Sequence, residues 1–184
     1  MRSQQDGYRD KTAQGFSKTR RTNVVRITKL SLMVAISSVL YVLEGFVPFP
    51  VPGGKWGLSN FLVLQLAYFG SLKGAVLLAF TKSIVGALIS GSIFTPGFFM
   101  GFFGALVAAV VQRLVTLTGF FGILGVSLVG MASNNVVQFL VGSVLIRSPA
   151  IFSLLPVVML LGSLSAIVNA YLAQRTVGFF REGE

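Results

Sequence analysis

The chain has 184 residues, of which 54% are hydrophobic and only 11% are charged. A soluble domain would carry about 25% charged residues, so this composition excludes an ordinary soluble domain and predicts an integral membrane protein. Cys and His are both absent, which excludes disulfides, thiol chemistry and the usual zinc and haem ligands. At roughly 20 residues for each membrane helix, the chain has room for about six.

Residues 1–23 predict a disordered, basic cytoplasmic tail. The net charge is +10, and eight of the 15 Lys and Arg residues fall between Arg2 and Lys29. The positive-inside rule favours the cytoplasmic side for such a segment, and anionic lipid is a partner that it suits. Because no aromatic platform or folded module accompanies the charge, we expect no nucleic-acid partner.

Six apolar segments follow, at about 24–46, 58–71, 75–90, 97–115, 120–146 and 150–172. They predict an all-α fold, a bundle of six transmembrane helices over residues 24–174, and then a short cytoplasmic tail over 175–184. With the N-terminus inside, one side of the membrane collects most of the remaining basic residues, namely Lys73, Arg113, Arg175 and Arg181. The other side keeps only Lys55 and Arg147, so both termini are predicted on the cytoplasmic face of the cell membrane.

The segment Pro48–Asn60, reading PFPVPGGKWGLSN, separates the first two apolar segments. Its three prolines exclude a regular helix, and its paired glycines permit a tight reversal. Lys55, Trp56 and Asn60 then bring a charge, an indole and an amide close together. Two hypotheses remain: a loop that covers a ligand, or an interfacial loop that Trp56 anchors.

Lys82 lies near the middle of the third segment. A lysine at this depth costs about 2.5–3.5 kcal/mol on insertion scales, so it should face a cavity, a ligand or a partner. A structural ion pair with Glu44, near the outer end of the first segment, is the alternative.

The fifth segment carries three amides, Asn134, Asn135 and Gln138. Asn134 and Gln138 share one helix face because they are four residues apart. These amides could orient a polar ligand or could link helices by hydrogen bonds, and for any one of them the structural role is favoured.

Catalysis by this chain is not expected. Diphosphate chemistry with magnesium needs clustered carboxylates, whereas the chain has five that are scattered: Asp6, Asp10, Glu44, Glu182 and Glu184. There is no phosphate-binding loop of the Gly-rich type and no His or Cys to act as base or nucleophile. We therefore predict a protein that is not an enzyme, with no cofactor and no metal site.

Three short motifs resemble one known membrane family. These are GKWGLSN at 54–60 after Glu44, Lys82 followed by SGSIF at 90–94, and SNNVVQ at 133–138. Together they resemble the Gx transporter family, which also carries the label heptaprenyl diphosphate synthase component I. The resemblance covers roughly residues 29–174.

That family is similar to the substrate-binding S components of energy-coupling-factor (ECF) transporters. The resemblance implies a six-helix bundle with a ligand site near the outer face, capped by the loop between the first two helices. It also implies docking of a transmembrane coupling subunit through small residues of the first helix, for which Ser31 and Ala35 are the matching positions.

The leading hypothesis is a substrate-binding component whose energy comes from a transmembrane coupling subunit and ABC-type ATPases. The alternatives are a membrane subunit of a flavin- or quinone-linked extracellular electron-transfer assembly, or an accessory subunit in isoprenoid or quinone synthesis.

Positive charge at Lys55, Lys82 and Arg147 favours an anionic or polar-headed solute. The predicted ligand-binding residues are Glu44, Lys55, Trp56, Asn60, Lys82, Asn134, Asn135, Gln138 and Arg147.

Overall fold

The computed structural model describes residues 24–47 and 56–181, and over these ranges every regular element is helical. The helices are α1 (Val24–Glu44), α2 (Phe61–Phe69), α3 (Leu72–Ile89), α4 (Pro96–Leu117), α5 (Ile123–Ile146) and α6 (Leu155–Arg181). Short 3₁₀ turns, Leu58–Asn60 and Pro149–Leu154, precede α2 and α6. The predicted all-α class is confirmed. The two tail ends, 1–23 and 182–184, and the proline-rich stretch 48–55 lie outside the described residues.

The helix starts follow ordinary capping chemistry. The Ser71 hydroxyl accepts a hydrogen bond from the Gly74 N–H at the start of α3. The Thr95 hydroxyl does the same for the Phe98 N–H at the start of α4, where Pro96 occupies the first helical position. Such side chains satisfy N–H groups that have no partner within the helix.

Helix α6 is longer than the sequence predicted, since it continues to Arg181 rather than ending near Leu172. The extension is tied to α2, because the Thr176 hydroxyl shares its proton between the Leu172 carbonyl at 2.8 Å and Gln65 Oε1 at 3.1 Å. Gln65 is itself buried. A polar contact inside the bundle thus holds the end of a helix that hydropathy alone would have stopped earlier.

Polar side chains lie inside the bundle and large apolar side chains lie outside. Lys82 and Gln65 are only 2% and 3% exposed, whereas Val144 and Leu160 are 76% and 72% exposed. Water would not favour this distribution, but lipid does. Five helical stretches are long and apolar enough to cross a membrane, so the chain is a multi-pass membrane protein.

Helix α2 is the short element. Together with its 3₁₀ turn it is about 20 Å long, against a hydrocarbon thickness of about 30 Å. Its first turn lies beside the middle of α3, because Lys82 bonds to Ser59 and Asn60 there. Helix α2 therefore begins inside the bundle rather than at its edge.

Glycines set the closest helix contacts. A Cβ on Gly86 of α3 would meet the ring of Tyr41 on α1, and a Cβ on Gly104 of α4 would meet Asn134 on α5. Small residues of this kind let helices approach in lipid, where packing is a main source of association energy. The Tyr41 ring also contacts the cluster formed by Ala87 and Phe98, so Gly86 supports the junction of three helices.

We expect Gly86→Ala to destabilise the protein by about 1–3 kcal/mol, since the added methyl group must displace the Tyr41 ring in a packed interior. Unfolding in detergent micelles, followed by circular dichroism, measures the change. Gly178→Ala is the matched control, because nothing lies within 4 Å of a Cβ at that position. Equal stability of the two variants would show that the Tyr41 contact does not hold α1 to α3.

Candidate functional site

The site is built around the turn that leads into α2, Gly57–Asn60, which we name the leading turn. Gly57 has a φ of 77°, a left-handed conformation that glycine adopts without strain. The chain reverses at this residue and passes directly into the 3₁₀ turn Leu58–Asn60. The free N–H groups at the start of this helical run consequently lie inside the bundle.

Glu44, at the last position of α1, accepts hydrogen bonds from these N–H groups. Its Oε2 accepts from the Gly57 N–H at 3.2 Å, and its Oε1 accepts from the Ser59 N–H. The carboxylate is only 5% exposed. A negative charge is stabilised at a helix N-terminus by the unpaired N–H groups and by the helix dipole. Glu44 therefore acts as a cap supplied by a neighbouring helix.

Lys82 approaches the same turn from α3. Its Nζ donates to Ser59 Oγ at 3.1 Å and to Asn60 Oδ1 at 2.6 Å. Ser59 thus bonds to Glu44 through its backbone and to Lys82 through its hydroxyl. The one buried lysine and the one buried carboxylate among the described residues meet on this serine.

Asn169 of α6 completes the support of the leading turn. Its Nδ2 donates to the Gly57 carbonyl at 3.0 Å, so both backbone groups of Gly57 are bonded to side chains from other helices. At the opposite end of α2, Arg113 of α4 donates to the Ala67 carbonyl at 3.1 Å. Side chains from four other helices therefore hold α2 at its two ends.

A cavity of about 40 Å³ opens beside the leading turn. A buried water needs roughly 10–15 Å³ of such space, so the cavity has room for about three. Its wall is polar on the side of α1–α3 and α5 and is formed by small residues on the side of α4. The lining residues are Tyr41, Glu44, Gly57, Ser59, Asn60, Lys82, Ser83, Gly97, Gly101, Ala105, Asn134 and Gln138.

Five of the residues predicted from the sequence come together on this cavity, namely Glu44, Asn60, Lys82, Asn134 and Gln138. They are far apart in the chain and lie on four different elements. The shared face predicted for Asn134 and Gln138 is also the face that α5 turns to the cavity. Four of the five are polar groups in apolar segments, and Asn60 is the last residue of the proline-rich segment, which is why the sequence marked them.

Three other predicted ligand residues that the structure describes do not line the cavity. Asn135 faces α6, where its Nδ2 lies close to Gly162, and this Nδ2 donates to Met131 Sδ of its own helix at 3.2 Å. Arg147 is exposed at the end of α5, in a left-handed conformation with φ 54°. Trp56 is half-buried just before the leading turn, and Lys55 lies outside the described residues.

The two predicted docking residues, Ser31 and Ala35, are exposed on the outer surface of α1. Neither residue lies on the side that packs into the bundle, where Met33 joins the core. Their small side chains are thus available to a helix outside this chain.

The sequence did not single out several cavity residues. Gly97, Gly101 and Ala105 of α4 line the cavity, although small residues at this four-residue spacing are also typical of plain helix packing. Nothing lies within 4 Å of a Cβ at Gly101, so the absence of a side chain there leaves space. Open space of this kind has no signal in the sequence, because a packing glycine and a cavity glycine have the same spacing.

We expect Asn60→Leu to lower the free energy of unfolding by about 1.5–3 kcal/mol, since it removes the 2.6 Å hydrogen bond from the buried Lys82 ammonium to Asn60 Oδ1. Asn60→Asp keeps an acceptor oxygen at the same position and should retain most of the stability. Thermal unfolding of both variants in micelles compares them. If the two variants were destabilised equally, the Lys82–Asn60 bond would not hold the leading turn.

Comparisons with known proteins identify the family. The family model described as heptaprenyl diphosphate synthase component I matches residues 33–176, more than three quarters of the chain. The match includes residues of all six helices and every residue that lines the cavity. No curated protein and no solved structure matches the chain. On this match, the chain belongs to the heptaprenyl diphosphate synthase component I family, also known as the Gx transporter family.

Proposed function

We propose that the protein is the solute-binding membrane component of an energy-coupling-factor-type transporter. The observation that carries this proposal is the placement of Lys82, a fully buried lysine whose ammonium lies on the wall of a cavity. Burying a charge in a membrane interior is costly, so residues of this kind usually mark a pathway or a binding site. The cavity also collects Asn134 and Gln138, two amides suited to orienting a polar group.

The solute we propose is small, with an anionic or polar head group that binds beside Lys82. Positive charge and N–H donors favour such a group in a low-dielectric interior. A cavity of about 40 Å³ is smaller than the pockets of roughly 300–1,000 Å³ that hold drug-sized ligands. Uptake of any larger solute therefore requires the bundle to open at the leading turn.

The partners belong to the same proposal. A transmembrane coupling subunit would dock on the exposed small residues of α1, and ABC-type ATPases would supply energy. The protein would lie in the cell membrane with both termini on the cytoplasmic side. This chain would bind the solute without catalysing a reaction.

A second candidate function comes from the family description, which names a component of a prenyl diphosphate synthase. In that case the protein would be an accessory subunit in isoprenoid or quinone synthesis. A membrane subunit of a flavin- or quinone-linked electron-transfer assembly is a further alternative. Co-purification from native membranes distinguishes the three functions by the partner that is recovered. The transporter predicts ABC-type ATPases, the synthase subunit predicts a soluble prenyl synthase, and the electron-transfer subunit predicts flavoproteins and quinone.

We expect Lys82→Met to lower solute retention at least tenfold, equivalent to about 1.4 kcal/mol, because the variant keeps the length of the side chain and removes its charge. Mass spectrometry of small molecules extracted from purified protein measures retention. Lys73→Met, which changes an exposed lysine at the start of the same helix, is the matched control. A wild-type protein that retains no solute, or a Lys82→Met variant that retains as much as the control, would contradict the proposal.

We expect Ala35→Trp to abolish co-purification of a coupling subunit while leaving solute retention intact. The indole would fill the shallow surface beside Ser31, where a partner helix needs small residues for close approach. Leu32→Trp is the control, since Leu32 is also exposed but is already large. Loss of the partner in both variants, or in neither, would remove Ser31 and Ala35 from the interface.

A further inference from the structure

A second cavity adjoins the first one on its α6 side. It measures about 30 Å³ and shares three lining residues with the first cavity, Asn60, Ala105 and Asn134. The rest of its wall comes from α2, α4, α5 and α6, and no residue in its lining carries a charge. The two cavities are therefore neighbouring compartments, one beside the Glu44–Lys82 network and the other uncharged.

Two buried carbonyl oxygens of this second cavity have no hydrogen-bond partner among the described residues. They are Gln112 Oε1 and Asn169 Oδ1, and both side chains line the cavity. The side chains are 5% and 7% exposed. The great majority of buried acceptor atoms in proteins have a hydrogen-bond partner, so two unsatisfied acceptors on side chains of one small cavity need an explanation.

The orientation of Asn169 follows from its other contact. Its Nδ2 donates to the Gly57 carbonyl, so its Oδ1 is directed away from the leading turn. Ser127, another lining residue, cannot donate to these oxygens, because its hydroxyl already donates to the Ala166 carbonyl at 2.7 Å. The uncharged compartment thus has two acceptor oxygens with no partner among the described residues, in a wall that also includes the amide side chains of Asn60 and Asn134.

We propose that this compartment is a second subsite, which binds N–H or O–H donor groups of the solute at Gln112 Oε1 and Asn169 Oδ1. The inference rests on the proposed function, since it assigns the far end of a solute whose other end lies beside Lys82. Removing the donors from such a solute would leave both carbonyl oxygens unsatisfied, which is an effective basis for discrimination. Gln112 and Asn169 are accordingly specificity-determining residues.

Four small molecules of the same planar, four-heavy-atom shape serve as probes. Acetone has no donor, acetamide has one NH₂ group, acetamidinium has two NH₂ groups and a positive charge, and acetate has acceptors and a negative charge. Saturation-transfer NMR measures their binding to the full-length chain in nanodiscs, with empty nanodiscs correcting for partition into lipid. Comparison of acetamide with acetamidinium shows whether the donor group is neutral or cationic.

We expect acetamide, acetamidinium or both to bind about fivefold more tightly than acetone, the ratio expected for one neutral hydrogen bond. Gln112→Met should lower that binding to the level of acetone while leaving acetate unaffected. The same variant should unfold at an equal or higher temperature than the wild type, because it removes an unsatisfied acceptor. Asn169→Leu provides a second test of donor binding, although it also loses the bond to Gly57.

Gln65→Met is the matched control. Gln65 is an equally buried amide, but its Oε1 already accepts from Thr176 and it does not line the cavity. This variant should lose stability and keep acetamide binding.

The subsite is overturned if neither donor probe binds better than acetone, which is the result expected where water alone fills the cavity. It is also overturned if Gln112→Met and Gln65→Met bind acetamide equally. Failure of the proposed function gives a different result. In that case Lys82→Met leaves solute retention and acetate binding unchanged, whereas Gln112→Met still lowers acetamide binding.

Discussion

The structure depends on one constraint: a helix that begins inside an apolar bundle must find partners for its free N–H groups there. No water lies in the hydrocarbon region to bond with them, and each group left unsatisfied would cost several kcal/mol. Helix α1 supplies the acceptor, Glu44, at Gly57 and Ser59. A buried carboxylate in turn favours a nearby positive charge, and Lys82 reaches the same serine. The polar site thus follows from the short length of α2.

The residues that hold the fold are also the residues that line the cavity. Glu44, Asn60 and Lys82 each bond to or belong to the leading turn, and each contributes to the cavity wall. Removing one partner of a buried charged network is strongly destabilising, because the other partner is left unpaired. Function and stability should therefore be hard to separate at these positions. They separate more readily at Gln112, whose carbonyl oxygen has no bond to lose among the described residues.

Hydropathy was sufficient to predict the helices, since a lipid-spanning chain must be helical unless it forms a closed barrel. It also marked Lys82, Asn134 and Gln138, because a polar group stands out in an apolar segment. Hydropathy could not predict contacts that are made by backbone atoms or that depend on which way a side chain points from its helix. The roles of Gly57 and Ser59 depend on their N–H groups, which every residue except proline has. Asn135 is one residue from Asn134, yet a rotation of about 100° turns it to α6.

The depth of Lys82 has an electrical consequence. It is the eleventh of the 18 residues of α3, so the solute that we propose to bind there would lie near the middle of the hydrocarbon layer. Moving one elementary charge across a full potential of 100 mV is worth about 2.3 kcal/mol. A singly charged solute that travels about half of that distance would gain or lose roughly 1 kcal/mol. Its occupancy would then change about fivefold between energised and de-energised membranes, whereas that of a neutral solute would not change.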